Sequence, residues 1–81
     1  MSEVEVFCID DCTNCKRLCG MLDQRGYQYK HYNLNQSAED LAEAAYRGIV
    51  QEAFPVVYID GERIPTSTPI DYFRRIQESM E

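Results

Sequence analysis

The sequence predicts an α/β fold of element order β-α-β-α-β-β-α, with a four-stranded mixed sheet and helices on both of its faces. Three observations predict it. Short apolar runs over 4–9 and 56–59 have strand character, while apolar residues recur at helical spacing after Cys15, Ser37 and Thr68. Asp60-Gly61 then divides an apolar stretch with a two-residue turn. A strand–helix–strand unit implies two parallel strands joined by a right-handed crossover. The hairpin has to add antiparallel strands to the same sheet, because two isolated strands are not stable alone.

Val4-Glu5-Val6-Phe7-Cys8-Ile9 reads as the first strand, short and mostly apolar, as a strand buried on both faces should be. Asp10 to Asn14 is turn-like. From Cys15 the pattern turns helical, with Cys15, Leu18, Cys19 and Leu22 on one face, and Gly26 is the C-terminal stop. Tyr27 to Asn33 reads as a second strand whose blurred alternation suits a sheet edge. Ser37-Ala38-Glu39-Asp40 is a variant capping box, and Leu41, Ala44, Ala45, Gly48 and Ile49 continue a second helix to about residue 51. Val56 to Ile64 is the hairpin. Thr68-Pro69-Ile70-Asp71 caps a last helix, with Ile70, Phe73, Arg74 and Ile76-Gln77 on its core side.

The 81 residues suit one domain, 1–81, without repeats or linkers. Fourteen acidic residues against eight basic ones leave a charge of −6, which repels phosphate backbones and makes a basic patch on a protein the more natural counterpart. No apolar run reaches membrane-span length, and the N-terminus is acidic where a secretory signal would be basic. The four cysteines fall at 8, 12, 15 and 19. A disulfide scaffold would spread them to staple distant segments, so this clustering points to local chemistry in a reducing compartment, the cytoplasm.

Cys12-Thr13-Asn14-Cys15 lies where a strand ends and a helix begins. A thiolate attacks a disulfide, and a helix N-terminus stabilises that anion with free N–H groups and its dipole. Cys12, first and exposed, is expected to be the nucleophile, and Cys15 the resolving thiol one turn inside the helix. The Cys12 pKa is expected to be lowered moderately, with the helix terminus and Lys16 acting against Asp10 and Asp11. The same cysteines also admit a metal- or iron–sulfur-binding module. A zinc site needs a second ligand pair, and His31 is the one histidine. Cys8 and Cys19 would complete four ligands, yet they read more simply as small core hydrophobes, or as a second disulfide. The Cys8-x3-Cys12-x2-Cys15 spacing of radical clusters belongs to a barrel that 81 residues cannot build. Lys16 and Arg17 read first as solvated cations, and His31 as an ordinary edge-strand residue.

With these residues in place, the chain resembles the glutaredoxins of the thioredoxin superfamily along almost its whole length. The carriers of the likeness are the strand–CxxC–helix opening, the segment Phe54-Pro55-Val56-Val57-Tyr58-Ile59-Asp60-Gly61 and the final helix. Asp11-Cys12-Thr13-Asn14-Cys15 and Phe54-Pro55-Val56-Val57 look most like the redoxins that reduce ribonucleotide reductase. The resemblance implies a thioredoxin-like fold and a monomeric thiol–disulfide oxidoreductase with no tightly bound cofactor. It implies a disulfide-bearing protein substrate and either glutathione or a thioredoxin reductase as reductant. It also implies a cis Pro55 facing the CxxC, so that the Phe54 backbone pairs with an extended substrate. Thr13, Asn14, Lys16, Phe54, Pro55, Thr66 and Ser67 are thereby expected along the substrate groove. Two features depart from glutathione-using members. Pro65-Thr66-Ser67-Thr68 replaces the usual Gly-Gly pair and acid, leaving Thr66, Ser67 or Asp71 for the tripeptide's ends, and Thr13-Asn14 replaces the usual aromatic. An interaction domain of the same fold with idle cysteines is the remaining alternative.

Overall fold

The computed structural model describes residues 2–49, 53–66 and 68–81. Its elements are β1 (Val4–Cys8), α1 (Thr13–Arg25), β2 (Lys30–Asn33), α2 (Ala38–Tyr46), β3 (Val56–Ile59), β4 (Glu62–Arg63) and α3 (Pro69–Met80). They form a four-stranded sheet of order β2-β1-β3-β4. β1 and β2 run parallel, with Val6 opposite His31 and Cys8 opposite Asn33, and β3 joins β1 antiparallel. The expected fold class and the edge position of β2 are both realised.

Alternation along β1 sorts the core into two layers, because successive side chains leave a strand on opposite faces. Val4, Val6 and Cys8 pack with Val57 against Cys15, Leu18 and Leu22 of α1 and Tyr72 and Ile76 of α3. Phe7 packs on the other face with Tyr32, Val56 and Tyr58 against Ala44 and Ile49. Glu5 shares that second face and is only 6% exposed. Its carboxylate accepts from Arg47 Nη1 at 2.8 Å, Arg47 Nη2 at 2.7 Å and Tyr32 Oη at 2.7 Å. The Arg47 guanidinium lies 5.1 Å from the Phe7 ring centre and 4.8 Å from that of Tyr58. A charge inside the sheet is tolerated here because every lone pair it needs is engaged.

Helix ends show where expectation and structure diverge. α1 begins at Thr13 rather than Cys15, since Cys12 is extended and its sulfur already serves the first turn. At the other end Gly26 takes φ 70°, and the N–H groups of Gly26 and Tyr27 return to Asp23 and Leu22. That Schellman closure uses the Tyr27 backbone, so β2 starts only at Lys30 and not at Tyr27. The same motif ends α2. Gly48 (φ 79°) donates to Ala45 and Ile49 donates to Ala44, so the apolar pattern that suggests a continuing helix instead marks its stop. Ile49 is buried just beyond it, whereas Leu41, expected on the core stripe, is 53% exposed. The predicted last turn, 50–51, lies outside the described residues.

Ser37 caps α2 through the Asp40 N–H as expected, but the Asp40 carboxylate accepts from the Asn33 N–H and so ties α2 to the end of β2. Thr68 caps α3 through the Asp71 N–H, with Pro69 at the first position. The buried stripe of α3 is Pro69, Tyr72 and Ile76, while Ile70, expected inside, is 60% exposed. Pro69, pinned by the cap, sets the helix rotation and carries Tyr72 inward. Asp60 (φ 53°) and Gly61 (φ 81°) make the hairpin turn with both central residues left-handed. No helix among the described residues is long and apolar enough to cross a membrane.

Candidate functional site

The site grows out of the loop between β1 and α1. Asp11 takes a left-handed conformation (φ 57°) and delivers Cys12 to the N-cap of α1 in extended geometry (φ −103°, ψ 106°). There the Cys12 Sγ accepts the Cys15 N–H at 3.3 Å, and the Cys12 carbonyl accepts the Lys16 N–H at 3.1 Å. Sulfur thus occupies the place of the usual cap oxygen, at the positive end of the helix. Cys15 lies on the inner face of α1 and is 4% exposed, whereas Cys12 is half-buried.

Across from Cys12 stands the loop preceding β3. The Phe54–Pro55 peptide is cis, as the resemblance implies. The Cys12 thiol donates to the Phe54 carbonyl at 3.5 Å, which brings together segments 42 positions apart. Pro55 is buried and Phe54 half-buried, its ring against both core layers.

The other expected groove residues separate. Cys12, Cys15 and Lys16 line one solvent-open pocket of about 470 Å³. Asn14 lines a second, of about 540 Å³, with Arg17, Met21 and the start of α3. Thr66 lines a third with Asp71, Arg74 and Arg75, and its hydroxyl reaches Asp71 Oδ2 at 3.5 Å. Thr13 is exposed in the first turn of α1. Ser67 lies outside the described residues.

The thiols do not follow the electrostatic expectation. Burial pushes the Cys12 thiol up, the neighbouring Cys15 thiol adds to it, and the Cys15 N–H opposes it. Cys15 is drawn down to about 6, first by hydrogen bonding from Cys8 and then from Cys12, against burial. Cys12 and Cys15 compete for one proton, and the more deeply hydrogen-bonded sulfur releases it first. Burial and Cys15, rather than Asp10 or Asp11, act most strongly on Cys12. The Asp10 carboxylate turns instead to Asn33 Nδ2 at 3.2 Å and Gln36 Nε2 at 2.8 Å.

Sequence reasoning missed one gathering of side chains. The sulfurs of Cys8 and Cys19 and an imidazole nitrogen of His31 all lie within 4.8 Å of one another. Cys8 on β1 and Cys19 on the buried side of α1 share a face of the sheet, but His31 joins them only through the parallel pairing of β2 with β1.

The glutaredoxin family model matches residues 4–64, which takes in β1 through the hairpin and both cysteines of the CxxC. No curated protein sequence matches the chain. Among solved structures, the thioredoxin-like protein BC3987 superposes with a TM-score of 0.72 at 22% identity, over 91% of this chain and 99% of the other. Glutaredoxin 1 from Francisella tularensis, solved with cacodylate, gives 0.65 at 12% identity, over 99% of this chain and 98% of its own. A buckwheat glutaredoxin–glutathione complex gives 0.65 at 23% identity, over 96% of this chain and 71% of the other. At these identities the structural likeness is one of fold, while the family model spans three quarters of the sequence. The chain therefore belongs to the glutaredoxin family of thiol–disulfide oxidoreductases.

Proposed function

We propose that Cys12 and Cys15 are the redox dithiol of this oxidoreductase, with Cys12 the attacking and Cys15 the resolving sulfur. The observation that carries the assignment is their unequal accessibility at one helix terminus. Cys15 is the more acidic thiol but is 4% exposed, so of the two an incoming disulfide reaches Cys12. In the first step the Cys12 sulfur, its proton passing by way of Cys15 or water to the departing group, displaces one thiolate from the substrate and forms a mixed disulfide. Cys15 as thiolate then attacks the Cys12 sulfur, closes the intramolecular disulfide and releases the second substrate thiolate. Two electrons leave the dithiol and reduce the substrate disulfide.

The substrate is a disulfide on a protein or a glutathione mixed disulfide, docked against Phe54 and Pro55 with its backbone extended. The Phe54 carbonyl accepts the Cys12 thiol in the free protein, which supports its accepting a substrate N–H in the complex. Thr13, Asn14 and Lys16 flank Cys12 on the exposed rim and contact the partner. Similarity of residues 11–15 and 54–57 to redoxins of ribonucleotide reductase supports that enzyme as the protein substrate. The charge of −6 suits a basic docking patch. The chain acts as a monomeric single domain in the reducing cytoplasm.

Glutathione as reductant is supported by the family and by the buckwheat protein solved with it. Two features of this chain favour a thioredoxin reductase. Pro65 has no N–H to offer a tripeptide, and the Thr66 hydroxyl already contacts Asp71. The assignment is tested by incubating Cys15→Ser and Cys12→Ser proteins with a disulfide substrate under non-reducing conditions. Cys15→Ser should accumulate a mixed disulfide on Cys12, and Cys12→Ser none. An adduct on Cys15 in the Cys12→Ser protein would reverse the roles.

A further inference from the structure

We propose that Cys8, Cys19 and His31 form a zinc site on the flank of the CxxC. The fold assembles it from three elements. Cys8 ends β1 on the face that α1 covers, and Cys19 faces it from the second turn of α1. His31 stands on the edge strand β2 opposite Val6, and strand alternation puts it on the same face as its neighbour Asn33, away from Tyr32. Tyr29 borders the group. Its ring meets the His31 ring edge-on at 6.5 Å and its hydroxyl donates to Asp23 at 3.0 Å.

The donor set and the spacing fit the ion. Two thiolates and one imidazole are the soft-to-borderline ligands that Zn²⁺ takes. Zn–S bonds of about 2.3 Å and Zn–N bonds of about 2.0 Å put tetrahedral donors roughly 3.5–3.8 Å apart. The three atoms here already lie within 4.8 Å, so closing on a metal asks each separation to shorten by no more than about 1.3 Å, and His31 is exposed and able to make the move. The group lines the same open pocket of about 470 Å³ that Asp10 and Asp11 border, so a cation has an acidic entry path. Three protein ligands leave the fourth tetrahedral position to water from that pocket. Binding is balanced by deprotonation: Zn²⁺ replaces the protons of Cys8 and Cys19, which leave to solvent, and neutral His31 donates a lone pair.

The test uses the full chain carrying Cys12→Ser, which removes the CxxC as a competing chelator and involves no turnover. The protein, reduced with a non-chelating phosphine, is titrated with Zn²⁺ against a chromophoric competitor in weak buffer. One Zn²⁺ should bind per chain with release of about two protons. Adding His31→Ala or Cys19→Ser should each weaken binding by at least about tenfold, since even outer-shell partners act on that scale. His31 is exposed on an edge strand, so His31→Ala is the variant that keeps its fold, as circular dichroism would verify. No binding by the Cys12→Ser protein, or binding that His31→Ala leaves unchanged, overturns the proposal.

Discussion

Replacing Glu5 with Gln tests whether the charge buried in β1 holds the far face of the sheet together. The carboxylate accepts three hydrogen bonds, two from Arg47 and one from Tyr32, and the side chains of Glu5 and Arg47 are only 7% and 20% exposed. An amide of the same shape has one acceptor oxygen and an NH₂ that must face a guanidinium or a phenol hydroxyl. Removing one partner of a buried ion pair costs about 3–5 kcal/mol. Arg47 keeps its bond to Glu43 at 2.8 Å and some solvent. The expected loss is therefore about 2–3 kcal/mol at neutral pH, a fall in Tm of roughly 10–20 °C for a chain of this size.

The same pair predicts the pH dependence. Arg47, aided by Tyr32 and opposed by burial, holds the Glu5 carboxyl below its ordinary range. A depressed folded-state pKa contributes stability that is fully present above the unfolded carboxylate value of about 4.3 and is lost as pH falls through the folded value. Urea unfolding of both proteins should thus show a constant deficit for Glu5→Gln from neutral pH down to that range, shrinking in stronger acid. A deficit under about 0.5 kcal/mol at neutral pH would show that the pair is an ordinary surface contact. A deficit that persists unchanged in acid would show that shape, not charge, was at stake.

With an insulin-type disulfide substrate, turnover should be faster with a thioredoxin reductase and its nicotinamide donor than with glutathione and its reductase. Rapid turnover with glutathione alone would contradict the reading of Pro65 and Thr66. Gly48→Ala forces a side chain into a left-handed conformation (φ 79°) and should cost about 1–2 kcal/mol in chemical denaturation, although no atom crowds the new methyl. Thr68→Ala removes the oxygen that accepts the Asp71 N–H and should cost about 1 kcal/mol by the same measurement. Leu41→Lys, by contrast, should change stability by less than about 0.5 kcal/mol, because Leu41 is exposed. A loss of several kcal/mol there would place it in the core after all.

Much of this protein could be read from residues a few positions apart. Asp60-Gly61 dictates a turn because the Gly has no Cβ and the Asp tolerates positive φ. Ser37 and Thr68 dictate helix starts because their oxygens reach an N–H three residues on. Cys12-x2-Cys15 after an apolar strand places a sulfur at a helix terminus wherever the rest of the chain goes. Local physics also misled where one signal serves two ends. Gly48 and Ile49 continue a helical apolar pattern, yet the same residues close a Schellman motif, and only packing of Ile49 under the sheet chooses between them.

What tertiary structure decided are the contacts between segments far apart in sequence. Whether Glu5 could be buried depended on Arg47, 42 positions away, and no local pattern carries that pairing. Cys12 meets the Phe54 carbonyl across the same separation. His31 reads as an idle edge residue until parallel pairing with β1 sets it beside Cys8 and Cys19. The acidity of the thiols changed hands for the same reason. The Cys12-x2-Cys15 spacing decides which sulfur sits at the helix terminus, but the proton goes to whichever sulfur has fewer hydrogen-bond donors around it, and those donors arrive only when the sheet and α1 close on one another.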